Sequence, residues 1–168
     1  MIKFEIVEDK FRRVNDVFTD VKGKKHTFPK DIKLPQRATA GSSGYDFFLA
    51  EDIDFFPNKI TIVPTDIKAI MPNDVELQIR IRSSLAIKDD LQIVNSPATI
   101  DSDYANNKDN GGNIMIAIVN RSGVTYKAKA GERIAQGIFS KYLTTTDDVP
   151  VNEIRTGGIG STSVKEEN

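Results

Sequence analysis

Cysteine is absent from this 168-residue chain, and histidine occurs once. Without cysteine there are no disulfides, no thiolate zinc sites and no thiol nucleophile. The lone His26 sits in the basic run Lys22-Gly23-Lys24-Lys25-His26, beside no serine or acid motif, which argues against a Ser-His-Asp site. An HExxH-type metal site needs a second histidine and is excluded. Carboxylates, hydroxyls and a hard cation such as Mg2+, which prefers oxygen ligands, remain for chemistry. An excess of either charge is also missing, because 23 Lys and Arg stand against 24 Asp and Glu. That weighs against polymeric DNA or RNA and against an anionic membrane as main partner, since those call for a basic face. The basic run reads as a solvated loop. The opening residues, Met1-Ile2-Lys3-Phe4-Glu5-Ile6-Val7-Glu8-Asp9, interleave charges with apolar side chains and form neither a signal peptide nor a membrane span. A cytoplasmic protein is the expectation.

What the chain does have is short apolar runs cut by turn residues. Val75, Leu77, Ile79 and Ile81 alternate with Glu76, Gln78 and Arg80, the period of a strand with one buried face. Residues 114–119 are apolar on both faces, as in an interior strand of a sandwich. Further strands are expected at 2–7, 45–49, 60–70, 91–94, 98–101, 124–129 and 133–142, with Pro57, Pro64, Pro72 and Pro97 among the breaks. Val7, Phe11, Val14 and Phe18 recur at helical spacing, which predicts a short helix over 10–19, and residues 84–88 suit one helical turn. The expectation is an all-β, jelly-roll-like β-sandwich over residues 1–142. Residues 143–168 hold too few apolar side chains to pack alone and read as an extended C-terminal arm. At ~3.3 Å per residue such an arm reaches roughly 80 Å, far enough to meet a neighbouring subunit.

Five segments carry candidate chemistry, in this order: Pro35-Gln36-Arg37-Ala38-Thr39-Ala40-Gly41-Ser42-Ser43-Gly44-Tyr45-Asp46-Phe47-Phe48-Leu49; Arg82-Ser83-Ser84-Leu85; Asn95-Ser96-Pro97-Ala98-Thr99-Ile100-Asp101-Ser102-Asp103-Tyr104; Gly131-Glu132-Arg133-Ile134-Ala135-Gln136; and Arg155-Thr156-Gly157-Gly158-Ile159-Gly160-Ser161-Thr162. Taken singly, each has a plain structural reading. Asp101 suits a strand-end turn cap, Tyr104 a ring covering the core edge, and Arg82 with Ser83 a surface pair beside a turn. Asp46 suits a strand-edge hydrogen bond, and residues 155–163 a Gly/Ser tail. Chemically, an Arg fork matches phosphate oxygens and a neighbouring hydroxyl adds a donor. Residues 155–163 offer free backbone N–H groups, hydroxyls and a cation, a phosphate-wrapping composition that lacks the Lys and strand–helix frame of a Walker A loop.

Together and in this order, the segments resemble the five motifs of the trimeric dUTPase family, of the Gram-positive bacterial or phage type. The resemblance implies a dUTPase-like β-clip subunit, a homotrimer with active sites shared between subunits, and Mg2+-dependent hydrolysis of dUTP to dUMP and pyrophosphate. That reaction keeps uracil out of DNA and supplies dUMP. It implies that Asp101 binds the 3′-OH and orients the attacking water, and that Arg82, Ser83 and Ser84 meet the triphosphate with Ser83 near the α–β bridge. Gln136 would contact phosphate and ordered water. Asn95, Thr99 and Ile100 would line the uracil hairpin, with Tyr104 under the sugar, where a 2′-hydroxyl collides. Arg155, Ile159, Gly160, Ser161 and Thr162 would wrap the nucleotide. Asp46 would act on a magnesium ion through water, the ion being held mainly by the substrate phosphates. Arg133 and Glu132 read as structural.

The chain departs from the family pattern in places. Ile81 replaces a usual proline and continues the buried face of its strand. Ala98 stands where glycine is common, which implies a negative φ there. Residues 105–113, Ala-Asn-Asn-Lys-Asp-Asn-Gly-Gly-Asn, form a longer polar loop, either a wider hairpin or a surface for a regulatory protein partner. Two rival functions stay open, a dCTP deaminase-type enzyme and a non-catalytic protein-binding trimer. The deaminase needs a glutamate on the strand at 114–118, which has no carboxylate. Ile159 replaces a usual aromatic, forfeiting about 0.5–1.5 kcal/mol of stacking. Ile159→Phe is therefore expected to lower KM several-fold at unchanged kcat, and equal KM values in steady-state assays would refute the stacking account.

Overall fold

A computed structural model describes residues 1–13 and 31–150, with backbone alone at 18–19 and 25–26. Its strands are β1 (Lys3–Ile6), β2 (Phe18–Thr19), β3 (Lys25–His26), β4 (Gln36–Arg37), β5 (Tyr45–Phe48), β6 (Ile53–Phe55) and β7 (Ile60–Pro64). They continue with β8 (Ile67–Ile70), β9 (Val75–Ile81), β10 (Leu91–Ile93), β11 (Ala98–Ile100), β12 (Met115–Asn120), β13 (Tyr126–Ala128) and β14 (Arg133–Lys141). One α-helix among the described residues, α1 (Ser83–Asp89), follows β9 directly. It ends at Asp90, whose positive φ of 51° lets its N–H reach back to the Leu85 carbonyl.

Two sheets carry the core. One has the order β11-β9-β14-β5-β4 and the other β10-β12-β7, with β1–β8, β13–β6 and β2–β3 as two-stranded pairs. The alternation over 75–81 becomes β9, with Val75, Leu77 and Ile79 buried and Arg80 exposed. Phe47, Leu77, Ile79 and Ile134 from the larger sheet join Leu91, Ile116 and Ile118 from the smaller in one cluster. Two inner faces meeting in this way make a β-sandwich, the jelly-roll-like all-β architecture expected. No helix among the described residues is long and apolar enough to cross a membrane.

The outer face of the smaller sheet is unusually apolar. Ile60 and Ile62 are 60% and 53% exposed on β7, and Val94 is 49% exposed beyond β10. The register puts Val119 opposite Ile60 and Ala117 opposite Ile62, so these side chains share one face.

Several expectations change. Residues 60–70 form two strands, because the chain turns at Thr65–Asp66, where Asp66 is fully buried and has a φ of 55°. The helix expected over 10–19 is a single 3-10 turn at Asp9–Phe11, and Phe18–Thr19 pairs with Lys25–His26 as strand. The helical spacing instead records separate anchor points. Val7 is buried and donates its N–H to the Asp66 carbonyl at 3.0 Å, and the Phe11 ring packs onto Gly111. Val14 lies outside the described residues. Of the basic run read as a loop, Lys25 and His26 are strand and the remainder lies outside the described residues. The helical turn expected at 84–88 is α1, and Ala98, inside β11, is not among the described residues with positive φ. Beyond β14, residues 143–150 carry no strand or helix, and Leu143 is almost fully exposed.

Candidate active site

The polar face of the five-stranded sheet gathers functional side chains where β5, β9 and β14 lie side by side. Gln136 stands opposite Asp46 on one flank and Arg80 on the other, and residues directly opposite project from the same face. Gln36 of β4 extends this row beyond Asp46. β9 ends at Ile81, so Arg82 and Ser83 emerge at the sheet's end as α1 begins.

Asp46 organises the cluster. Its carboxylate is largely buried, with Arg82 Nε 3.5 Å from Oδ1 and Arg133 Nη1 3.2 Å from Oδ2. A carboxylate removed from water needs such partners. In return, it holds two guanidiniums close together, facing a cavity of about 180 Å³ lined by Ala38, Ser42, Gly44, Asp46, Arg82, Ser83, Arg133 and Gln136. A neighbouring hollow of about 330 Å³ shares Ala38, Asp46 and Arg133 and adds Lys33 and Arg37. Lys33 Nζ lies 3.8 Å over the Phe48 ring. Arg37 Nη1 donates to the Ala40 carbonyl at 2.9 Å and closes the loop bearing Ser42. Cations, hydroxyls and an amide around one hollow suit a polyanion such as a chain of phosphates.

Gly44 sets the position of Gln136. A Cβ there would lie 2.5 Å from Gln136 Oε1, so the missing side chain makes the room in which the amide rests. The turn before β14 is fastened by Glu132, which accepts from the Tyr126 hydroxyl and from the Lys129 N–H at 3.2 Å. Burial and the Glu132 carboxylate push the Tyr126 phenol up, so it remains a donor.

Asp46, Arg82, Ser83 and Gln136 thus come together, and Ser84 follows Ser83 on α1. None of the hairpin residues lines this pocket. Ile100 stands opposite Leu77, and the strand from Leu77 to Arg82 spans roughly 17 Å at ~3.3 Å per residue. Thr99 and Ile100 lie on β11, Asp101 directly precedes the 3-10 turn Ser102–Asn106, and Tyr104 is buried within that turn. Asn95 is exposed in the turn between β10 and β11. Arg155, Ile159, Gly160, Ser161 and Thr162 lie outside the described residues. Arg133, read as structural, pairs with Asp46 and also lines the pocket. Ser42 and Gly44 were passed over, although the small residues just before Asp46 were a usable signal.

The pattern of the family described as dUTPase matches residues 30–163, most of the chain. The chain belongs to the dUTPase family. It is 39% identical over 132 residues to the deoxyuridine 5′-triphosphate nucleotidohydrolase of Lactococcus lactis, covering 78% of this chain and 88% of that one. Among solved structures it resembles the dUTPase of Streptococcus mutans, with a TM-score of 0.67 and 33% identity over 84% of this chain and 97% of that one. A variant of the dUTPase from Staphylococcus aureus phage phi11 shares the fold at a TM-score of 0.64 and 18% identity, covering 91% and 98% of the two chains. The enzyme hydrolyses dUTP. Its β12 offers no carboxylate for a deaminase.

A side chain at position 44 would displace the Gln136 amide. Gly44→Ala is expected to lower kcat/KM for dUTP by about 10- to 100-fold, because small misplacements of a contact group are costly. The melting temperature should hardly change, since the added methyl meets only the end of a side chain. Unchanged kcat/KM would show that the Gln136 placement does not matter.

Proposed function

We propose that each active site is assembled from different copies of this chain in a homotrimer. One copy supplies Arg82, Ser83, Ser84 and Gln136 to the triphosphate, and another supplies the hairpin of Asn95, Thr99, Ile100, Asp101 and Tyr104. Asp101 positions the water that attacks the α-phosphorus. The water oxygen becomes part of dUMP, the α–β bridging bond breaks, and pyrophosphate leaves toward the guanidiniums, which meet the charge that develops there. The single observation that carries this reading is the roughly 17 Å of β9 between Leu77, which stands opposite Ile100 beside Asp101, and Arg82. The carboxylate already at the phosphate cluster, Asp46, faces arginines, so the water-positioning acid comes from elsewhere. The apolar outer face of the smaller sheet supports self-association.

The arm at 143–168, with Arg155, Ile159, Gly160, Ser161 and Thr162, closes over the nucleotide in this proposal. Magnesium enters it with the substrate. Among the described residues no three acidic or histidine side chains gather to hold a metal, and both Asp46 oxygens face guanidiniums. These residues do not fit a resident Mg2+. The phage phi11 relative is described with a structural Mg(II) ion, and the cation proposed here is one carried on phosphates. The substrate's place in nucleotide metabolism supports a cytoplasmic location.

The test is complementation. Asp101→Asn and Arg82→Ala are each expected to lower pyrophosphate release by about 100-fold or more. Co-expressed, they should restore activity at roughly a quarter of the sites, because random mixing places both intact halves together at that frequency. Activity should vanish with a chelator and return with Mg2+. No recovery in confirmed mixed oligomers would place both halves on one chain.

The 105–113 loop remains our proposed surface for a protein partner. A Staphylococcus phage 80alpha dUTPase is described as controlling transfer of virulence genes by a G protein-like mechanism. The exposed residues Asn106, Lys108 and Asp109 would form that surface here. Replacing these three with alanine should abolish partner binding in pull-downs at intact dUTP hydrolysis, and retained binding would remove the loop from consideration.

A further inference from the structure

The inner side of the 105–113 loop ends on the Tyr104 hydroxyl. Tyr104 Oη donates to the Asn113 carbonyl at 3.2 Å and accepts from Asn110 Nδ2 at 2.8 Å. Asn110 is oriented in turn, since its Oδ1 accepts the Gly112 N–H at 3.0 Å. Asn113 is fully buried, and its amide is locked on both sides. Its Oδ1 accepts the Asp66 N–H at 2.9 Å, and its Nδ2 donates to Asp66 Oδ1 at 2.8 Å and to the Phe11 carbonyl at 3.2 Å. The Phe11 ring closes the back of the loop over Gly111, where a Cβ would fall 2.2 Å from Phe11 Cδ2 and φ is 63°.

We propose that Asn110 and Asn113 are positioning residues that set the sugar selectivity of this enzyme, by clamping the far end of the Tyr104 ring. The inference rests on the reading of Tyr104 as the surface beneath the deoxyribose. A wall rejects one extra hydroxyl only if it cannot recede by about an ångström, the scale at which contacts are lost. A tyrosine held at its Cβ alone can tilt about two side-chain bonds, whereas one held at both ends cannot. The longer loop therefore stiffens the sugar wall, with the buried Asp66 turn and the N-terminal segment as its foundation. The same loop has two sides with separate work: Asn106, Lys108 and Asp109 are exposed, while the Asn110 amide and the Asn113 backbone carbonyl meet the Tyr104 hydroxyl.

The experiment measures kcat/KM for dUTP and for UTP, with melting temperatures, on the full-length protein and on Y104F, N110A, their double variant, Y104A and K108A. The dUTP-to-UTP ratio should fall about tenfold in N110A, which releases one of the two hydrogen bonds on the hydroxyl, and at least as far in Y104F, which releases both. Most of that change should be a gain on UTP. The double variant should fall no further than Y104F, because a Phe at 104 leaves no hydroxyl for Asn110 to hold. K108A should keep the wild-type ratio. A purely structural role would lower the melting temperature and leave the ratio alone. Should N110A not fold, Y104F decides, since it removes a single oxygen. A collapsed ratio in Y104A beside wild-type ratios in Y104F and N110A would overturn the clamp while leaving Tyr104 as the sugar wall. A wild-type ratio in Y104A itself would remove the Tyr104 reading, and the clamp with it.

Discussion

The geometry at the working end of the larger sheet depends on one carboxylate placed between two guanidiniums. Asp46 lies on β5, Arg82 follows β9, and Arg133 opens β14. These strands are adjacent, with β14 in the middle. Two guanidiniums side by side repel each other, and a buried carboxylate alone is costly, so neither half is stable without the other. The pairing fixes the spacing of the cations before any ligand arrives, and pre-organised donors stabilise developing charge without having to rearrange. Gln136 completes the group because the sheet register sets it opposite Asp46 and Gly44 leaves it room.

How much of this was legible in the sequence varies from element to element. The strand at 75–81 announced itself, since a period of two survives in a strand with one buried face. α1 was visible as a single turn without strand alternation. The five ordered segments gave the family and the reaction. The sequence did not reveal that Arg133 faces the pocket, because the charge pattern of Glu132 and Arg133 suits a surface turn equally well. The β7–β8 break was hidden inside a run of β-formers, because a buried Asp66 turn is made by tertiary hydrogen bonds rather than by glycine. The false helix at 10–19 had the right spacing for the wrong reason. Val7 and Phe11 are pegs set into separate parts of the sandwich, and spacing alone cannot tell pegs from one helical face.

The sandwich also explains why the site looks divided. β9 lies between β11 and β14, and it runs from the hairpin side at Leu77 to the phosphate side at Arg82. A rigid strand holds its two ends apart, so no local adjustment brings Asp101 to Gln136. The exposed isoleucines of β7 stand on a different sheet from either group. The apolar patch proposed for association and the polar cluster thus lie on separate sheets.

In the proposed assembly, a strand that keeps the two half-sites at its opposite ends would tie catalysis to abundance. A solitary chain would carry every catalytic side chain without closing a site around one nucleotide. Turnover would begin only once copies meet, and at low abundance it would grow faster than the number of chains. The rigidity of β9 would thereby act as a threshold for hydrolysis, set by assembly alone.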